Sequence, residues 1–382
     1  MDHMLSTLHT TGSLLFAGLL TGMLALLSAG CHWADAPRSA AVEVSYQPYR
    51  VGLDSTRMAR TYERAAELPA LHNVLVARHG STQAAWHFGG PGLDTPANIK
   101  SASKSVLSAL TGIAIAEGHL AGADQRIAPF FDEYLGPDPD SLRQQITVGH
   151  LLSMQSGLER TSGSNYGRWV TSGNWVRYAL NQPMQSVPGT ERSYSTGNSH
   201  LLSAVLTEAT GRSTWAYARE KLAEPLGFTL PRWTTDPQGI YMGGNNMRIS
   251  PRGLLRFGEL YRNAGAWNGK QIIPAWWVRT SMEPRARSRW SGAGYGYSWF
   301  VREVRGHRMF YGWGYGGQFV FVVPCLELTV AVTSDPLARE GRGHRRAVWD
   351  LLTDGILPAA ERGAHDGEHT VRLTSGPGQP AD

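Results

Sequence analysis

The sequence predicts an α/β (α+β) fold, a central antiparallel sheet flanked by helices with a separate helical region. Three observations carry it. Two short β-type runs, residues 73–77 and 84–88, stand near the start and are joined through His79-Gly80-Ser81. A second group of β-type runs, 295–304, 307–311, 318–323 and 328–333, fills the last third and is closed by a helical pattern at 345–352. Between them, from about 120 to 250, short helical patterns alternate with Gly/Pro/Ser loops. A chain that lays down strands, leaves to build helices and returns with antiparallel strands reads as one sheet domain carrying a helical excursion.

Taken in order, residues 14–30 form an apolar run rich in Leu and Ala, about the length of a signal-peptide core and short for a membrane span. It ends Leu27-Ser28-Ala29-Gly30-Cys31, small residues before a cysteine, which resembles a bacterial lipobox with Cys31 as the lipidated residue. No Lys or Arg precedes the run and Ser28 stands where Leu is usual, so a cleaved secretory signal and an uncleaved anchor stay open. Each reading gives the expectation of export to the periplasm or cell envelope, with a membrane contact through an N-terminal lipid anchor or signal anchor. Residues 32–45 read as an Ala/Pro linker. Helical patterns follow at 53–67, from Ser101 to about 117 with Gly118 as the stop, and at 150–158, 199–208, 253–264 and 274–282. The tail from 359 to 382, rich in Gly, Pro and charge, reads as disordered. The net charge of +5 comes from scattered arginines with no basic block, which argues against nucleic acid as a partner. Of the two cysteines, lipidation of Cys31 leaves Cys325 without a disulfide partner, and Cys325 reads as a small turn residue.

The stretch Ser101-Ala102-Ser103-Lys104 opens the most apolar helix. Residues three apart share a helix face, and a serine in the first turn sits at the positive end of the helix dipole. A serine hydroxyl needs a neighbouring base to become a nucleophile. A buried lysine can be that base, because desolvation disfavours the ammonium. The chain holds only four lysines, 100, 104, 221 and 270, against 32 arginines, and arginine cannot give up its proton. A lysine at 104 is thus placed where lysine chemistry is wanted. S-x-x-K alone is a common pattern, and an ordinary solvated lysine is the competing reading.

Two further stretches add to it. Tyr194-Ser195-Thr196-Gly197-Asn198 follows a Pro188-Gly189 turn, and a tyrosine beside a nucleophile can act as a general base where positive charge lowers its pKa. Tyr311-Gly312-Trp313-Gly314-Tyr315-Gly316-Gly317-Gln318 is a glycine-rich turn whose backbone N–H groups could complete an oxyanion hole. It lacks the Gly-Lys-Ser/Thr of a phosphate loop, and no G-x-S-x-G elbow occurs in the chain. His365 and His369 lie in the tail without the H-E-x-x-H order, so no metal site is expected. His150 reads as structural. Trp169, Trp175 and Trp313 read as loop residues able to line a pocket.

In order along the chain, these stretches resemble the serine β-lactamase and penicillin-binding-protein superfamily, in particular its class C β-lactamase-like hydrolases. Ser101-Ala102-Ser103-Lys104 matches the S-x-x-K of that superfamily. Thr147-Val148-Gly149-His150-Leu151-Leu152-Ser153-Met154-Gln155-Ser156-Gly157-Leu158 is similar to its T-V-R-H-L-L-x-M-x-S-G-L segment, and Tyr194-Ser195-Thr196 lies where it has Y-x-N. Gly314-Tyr315-Gly316-Gly317-Gln318, with Val322-Val323-Pro324 and Thr333-Ser334-Asp335-Pro336, looks like the branch holding 6-aminohexanoate-dimer hydrolase and related esterases. The likeness covers about residues 45–355. It implies a β-lactamase/transpeptidase-like domain over 46–358, a nucleophile at Ser101, proton handling by Lys104 and Tyr194, and an oxyanion hole from the N–H groups of Ser101 and Tyr315. It also implies a pocket drawing on Tyr166, Trp169, Thr196, Asn246, Trp313 and Gly314, and no metal or organic cofactor.

Two departures bear on substrate. Thr196 replaces the Asn that helps bind a β-lactam amide, and Trp313-Gly314-Tyr315 stands where β-lactamases carry K-T-G. The expectation is therefore a serine hydrolase of small esters or amides, working through an acyl-enzyme. Action on β-lactams or peptidoglycan peptides is the first alternative, and a slowly acylating sensor the second. An arginine from elsewhere, for example Arg285 or Arg287, could replace the missing cation.

Overall fold

The computed structural model describes residues 52–135, 141–289, 291–337 and 341–362. The apolar run at 14–30 read as an export signal, Cys31, the stretch 32–45 read as a linker, and the tail beyond 362 with His365 and His369 lie outside the described residues. No helix among the described residues is long and apolar enough to cross a membrane.

Helix α1 (Ser55–Ala66) is capped by the Asp54 carboxylate, which accepts from Arg57 N at 3.0 Å. Strands β1 (Leu71–Arg78) and β2 (Ser81–His87) follow as a hairpin. The chain returns to the sheet with β3 (Ala286–Arg287), β4 (Gly294–Tyr295), β5 (Phe300–Val304), β6 (His307–Gly314), β7 (Gln318–Val323) and β8 (Leu328–Ser334). The order across the sheet is β2-β1-β8-β7-β6-β5-β4-β3, antiparallel throughout.

Period-two alternation divides the sheet between two cores. Leu75, Ala77, Val320 and Val322 join the cluster under α2 (Ser103–Ala116) and the helical region, whereas Val74, Val76, Phe319 and Phe321 join the cluster under α1 and the C-terminal helices. Helix α2 is buried on every side from Ser103 to Ala114, which explains why it is built mainly of apolar and small residues. Gly112 lets Trp277 approach, and the Trp277 indole donates to Ser108 O at 2.8 Å. Helix α3 (Thr196–Thr210) packs beside α2, and α4 (Pro251–Arg262) lies on β7 and β8, where Gly258 meets Thr329 and Val320.

Three sequence expectations change. The run 295–304 is two strands, because the chain turns at 296–299: Ser298 has φ 63°, and Gly296 sits so close to Ser281 O that no Cβ fits. The helical run 150–158 is a helix only over Val148–Leu152, ended by Met154 at φ 62° and Gly157 at φ 81°. The closing helix α5 (Gly341–Asp350) begins earlier than 345 and continues as a wider turn over Leu351–Ile356.

Candidate active site

The chain reaches Ser101 through a constrained approach. Lys100 takes φ 49°, a left-handed conformation unusual for a residue with a Cβ, and its N–H donates to Asn98 Oδ1 at 2.8 Å. Its carbonyl accepts from Ser103 Oγ at 2.5 Å. A 3₁₀ turn, Lys100–Ala102, then leads into α2, so Ser101 lies just before the α-helix and Lys104 in its first turn.

Lys104 is 2 % exposed. Its Nζ donates to Ser101 Oγ at 3.3 Å, to Thr196 Oγ1 at 3.4 Å and to the Gly244 carbonyl at 2.6 Å. It has no ion pair among the described residues, and burial lowers its pKa from 10.5 to about 7. With three dipoles around it and no carboxylate, the ammonium is poorly compensated, and a neutral amine is available near physiological pH.

Tyr194 lies beside this amine, with Nζ 4.9 Å from its ring centroid and its phenol close enough to Ser101 to feel its hydroxyl. Burial pushes the phenol up to about 12, against the smaller pull of Ser101 and of the nearby Arg192. The idea that positive charge turns Tyr194 into a base is thereby corrected: desolvation wins, and the residue keeps its proton at neutral pH. Lys104 and Tyr194 are thus suited to opposite duties, one to take a proton and one to give it.

Arg192 is a residue that sequence reasoning missed. Its guanidinium sits 5.6 Å from the Tyr194 ring centroid, 4.2 Å from that of Tyr295 and 5.7 Å from that of Phe300. It brings positive charge beside Tyr194, whereas Arg285 and Arg287 were considered for the cation missing at Trp313-Gly314-Tyr315. Arg285 instead stacks on Tyr297 at 4.1 Å, and Arg287 is exposed on β3. Arg192 also lines a cavity of about 270 Å³ with Arg160, Glu191 and Arg289. A second cavity, about 390 Å³, is bounded by Asn98, Arg248, His72 and Pro336. Neither has Ser101 or Lys104 in its wall.

The glycine-rich turn approaches from β6. Gly312 faces Ser105 and Gly314 faces Ile99 and Lys100; a Cβ on Gly314 would lie 2.2 Å from Ile99 O. That contact sets the β6 end against the backbone leading to Ser101. Tyr315 opens the turn to β7, with its side chain 63 % exposed, and Gly317 supplies the φ of +93° that the turn requires.

The expected pocket residues divide. Thr196 is in place: its hydroxyl meets Lys104 and pairs with Ser162 Oγ at 3.1 Å. Asn246, at φ 64°, accepts from Asn98 Nδ2 at 3.2 Å and so ties its loop to the approach to Ser101. The Tyr166 hydroxyl accepts from Asn245 Nδ2 at 3.1 Å, on the same loop. Trp169 is corrected. It lies in a helix, Tyr166–Val170, and is fully buried, its indole donating to Trp175 O at 3.0 Å. Trp175 is likewise buried, in the helix Trp175–Leu180. Trp313 alternates to the face of β6 opposite Gly312 and Gly314, against Phe300 and Arg345. Tyr311 is buried there, stacked on Phe300, and offers no surface to a substrate. His150 is structural as expected, completing a capping box with Thr147.

The site also depends on the loop Gly243-Gly244-Asn245-Asn246, whose Gly244 carbonyl is the shortest contact of Lys104. Its signal was the Gly-Gly pair itself. A Cβ on Gly243 would lie 1.9 Å from Ser199 O, and one on Gly244, at φ +71°, would lie 2.6 Å from Lys104 Cγ.

A serine just before a buried helix, a buried lysine in that helix's first turn, a tyrosine beside the lysine amine and a glycine-rich turn between two sheet strands define a class, the serine hydrolases of β-lactamase type. The chain belongs to the beta-lactamase family, whose family model matches residues 62–353. A curated relative, an uncharacterised protein of Alkalihalophilus pseudofirmus, is 26 % identical over 252 residues, 60 % of this chain and 71 % of its own. Among solved structures, EstCE1, a hydrolase with promiscuous acyltransferase activity, superposes with a TM-score of 0.65 at 19 % identity, covering 79 % of this chain and 98 % of its own. A penicillin-binding-protein homologue from Caulobacter crescentus gives 0.62 at 19 %, covering 82 % and 99 %. A Bacillus anthracis protein provisionally called a 6-aminohexanoate-dimer hydrolase gives 0.60 at 19 %, covering 75 % and 78 %. At these identities the likeness is one of fold.

Proposed function

We propose that the protein hydrolyses small, neutral esters or amides through an acyl-enzyme on Ser101. The observation that carries this is the Lys104 amine, buried without a counter-ion and 3.3 Å from Ser101 Oγ. Ser101 Oγ attacks the carbonyl carbon and its proton passes to the neutral Lys104 amine. The oxyanion is received by the backbone N–H groups of Ser101 and Tyr315. The tetrahedral carbon then expels the leaving group, which takes the Tyr194 phenolic proton, and Lys104 returns its proton to Tyr194. Water, deprotonated by the same pair, attacks the ester carbon and frees Ser101.

The substrate class follows from charge. Trp313-Gly314-Tyr315 offers no cation of its own at the end of β6, and the guanidinium of Arg192 is spread over three aromatic rings. A carboxylate next to the scissile bond would lose water without a dedicated partner, at a cost of several kcal/mol. A neutral ester avoids that cost. The test is a panel of short-chain p-nitrophenyl esters, small amides and nitrocefin. Turnover of the esters with little nitrocefin hydrolysis is expected. Nitrocefin turnover faster than that of the esters would overturn the substrate class, and a single stoichiometric acylation without turnover would instead point to a sensor.

A further inference from the structure

We infer that His200, held by Asp236, is a positioning residue for Lys104, acting through the backbone of Gly243 and Gly244; this rests on the reading of Lys104 as the base. Both side chains are fully buried, and His200 Nε2 lies 3.0 Å from Asp236 Oδ2. The other ring nitrogen, Nδ1, receives the Gly243 N–H at 3.3 Å. An Nδ1 that accepts leaves the ring proton on Nε2, so the ring donates to Asp236. Asp236 is itself fixed, with Oδ1 accepting from Gln238 N at 2.9 Å and Ile240 N at 2.8 Å. The chain of bonds then runs Asp236, His200, Gly243 N–H, Gly244 carbonyl and Lys104 Nζ, the last link being 2.6 Å.

A buried aspartate–histidine pair is costly unless its geometry is used. Here nothing else in the described contacts of His200 is polar. Trp169 and Trp175 meet its ring edge-on, at 5.6 and 5.4 Å between centroids, and lock its plane. The buried tryptophans expected to line a pocket thus support the histidine. Gly243 lies against the Ser199 carbonyl and Gly244 against Lys104 and the Ser199 side chain, and neither position has room for a side chain. The Met242–Gly243 peptide is held on both sides, its N–H by His200 and its Met242 carbonyl by the Trp233 indole at 3.0 Å, and Gly243 so fixed begins the short stretch of backbone that carries the Gly244 oxygen to Lys104. The charged or titratable groups near the two ends are Asp236 at His200, and Tyr194 with Arg192 behind it at Lys104.

The two ring nitrogens can be tested separately. Asparagine places its amide oxygen near the Nδ1 position and keeps the acceptor for Gly243 N–H, while abandoning Asp236. Glutamine reaches the Nε2 position and keeps Asp236, while abandoning Gly243. His200→Gln is expected to lower kcat on a p-nitrophenyl ester by roughly tenfold to a hundredfold with little change in KM. His200→Asn is expected to recover kcat to within about threefold of the parent, although it leaves a buried carboxylate unpaired and lowers Tm. A merely structural role predicts the reverse order, with His200→Asn the more damaged. The independent readout is the titration midpoint of Lys104, followed by NMR of protein labelled with [ε-¹³C]lysine. Four lysines give four signals, and Lys104→Arg identifies one of them. The midpoint should move by about half a unit or more in His200→Gln and stay in place in His200→Asn. Equal midpoints in all three proteins, or loss of kcat in both variants alike, would overturn the inference. Should His200→Gln not fold, His200→Asn decides alone: loss of kcat or a displaced midpoint there overturns it. If the parent turns over no ester, the proposed function fails, and the lysine titration still decides this inference.

Discussion

Replacing Lys104 by Met should make the protein's stability less dependent on pH, with a sign and size that follow from burial. The amine's pKa falls from 10.5 to about 7 on folding, and at about 1.36 kcal/mol per unit this amounts to roughly 5 kcal/mol against the folded state under acidic conditions. The unfolded chain binds the extra proton throughout the interval between the two values, so the parent gains stability as pH rises from about 7 to about 10.5. The cost that Lys104 imposes is about 4 kcal/mol at pH 7, about 2 kcal/mol at pH 9 and under about 0.5 kcal/mol at pH 10.5. Met has a similar shape and no charge. It leaves the Gly244 carbonyl without its donor, a loss of about 1–3 kcal/mol that does not vary with pH. The advantage of Lys104→Met over the parent should therefore shrink by about 2 kcal/mol between pH 7 and pH 9. Urea unfolding of both proteins across this range measures it, and other titrating groups cancel in the difference. A stability difference that stays constant with pH would refute the reasoning, because it would mean that Lys104 has an ordinary pKa in the folded protein.

Further outcomes follow from the same geometry. kcat/KM for a neutral ester should rise with pH through a midpoint near 7, as the Lys104 amine loses its proton, and should not fall again until Tyr194 ionises near 12, as seen in a pH–rate profile. Lys104→Arg should be nearly as inactive as Lys104→Ala, since arginine supplies charge without a neutral amine; substantial ester turnover in the arginine variant would show that only charge is needed. Gly314→Ala should reduce kcat at least about tenfold and lower Tm, because its Cβ would press on Ile99 O and move the backbone that carries Ser101; unchanged kinetics would remove β6 from the site.

Much of this was legible in the sequence because the signals were local. Period-two runs located β1, β6, β7 and β8, and a mainly apolar helical run opening on Ser-x-x-Lys located α2, since a buried helix and a two-faced sheet each leave a direct imprint on residue order. Tyr194 and Thr196 were legible through their place at the start of α3. What was not legible depends on partners distant in the chain. Gly244 O reaches Lys104 across 140 residues, and nothing local marks a backbone carbonyl as a ligand. Arg192 looked like any other arginine until Tyr295 and Phe300, a hundred residues on, closed around it. Trp169 was misread because a tryptophan between glycine-rich stretches looks exposed, whereas its indole caps Trp175 O and packs on His200. The turn at 296–299 was missed because its cause, the approach of Ser281, belongs to another helix.

The central claim is that Ser101 becomes covalently acylated. The most direct test is to mix the protein with a short-chain p-nitrophenyl ester, quench in acid within the first turnover, and map the adduct by peptide mass spectrometry. The account predicts one acyl group per chain, on the peptide holding Ser101, absent after prolonged incubation and absent from Ser101→Ala, which should also lose turnover by more than about a thousandfold. An acyl group on another serine, or ester turnover that survives in Ser101→Ala, would contradict it.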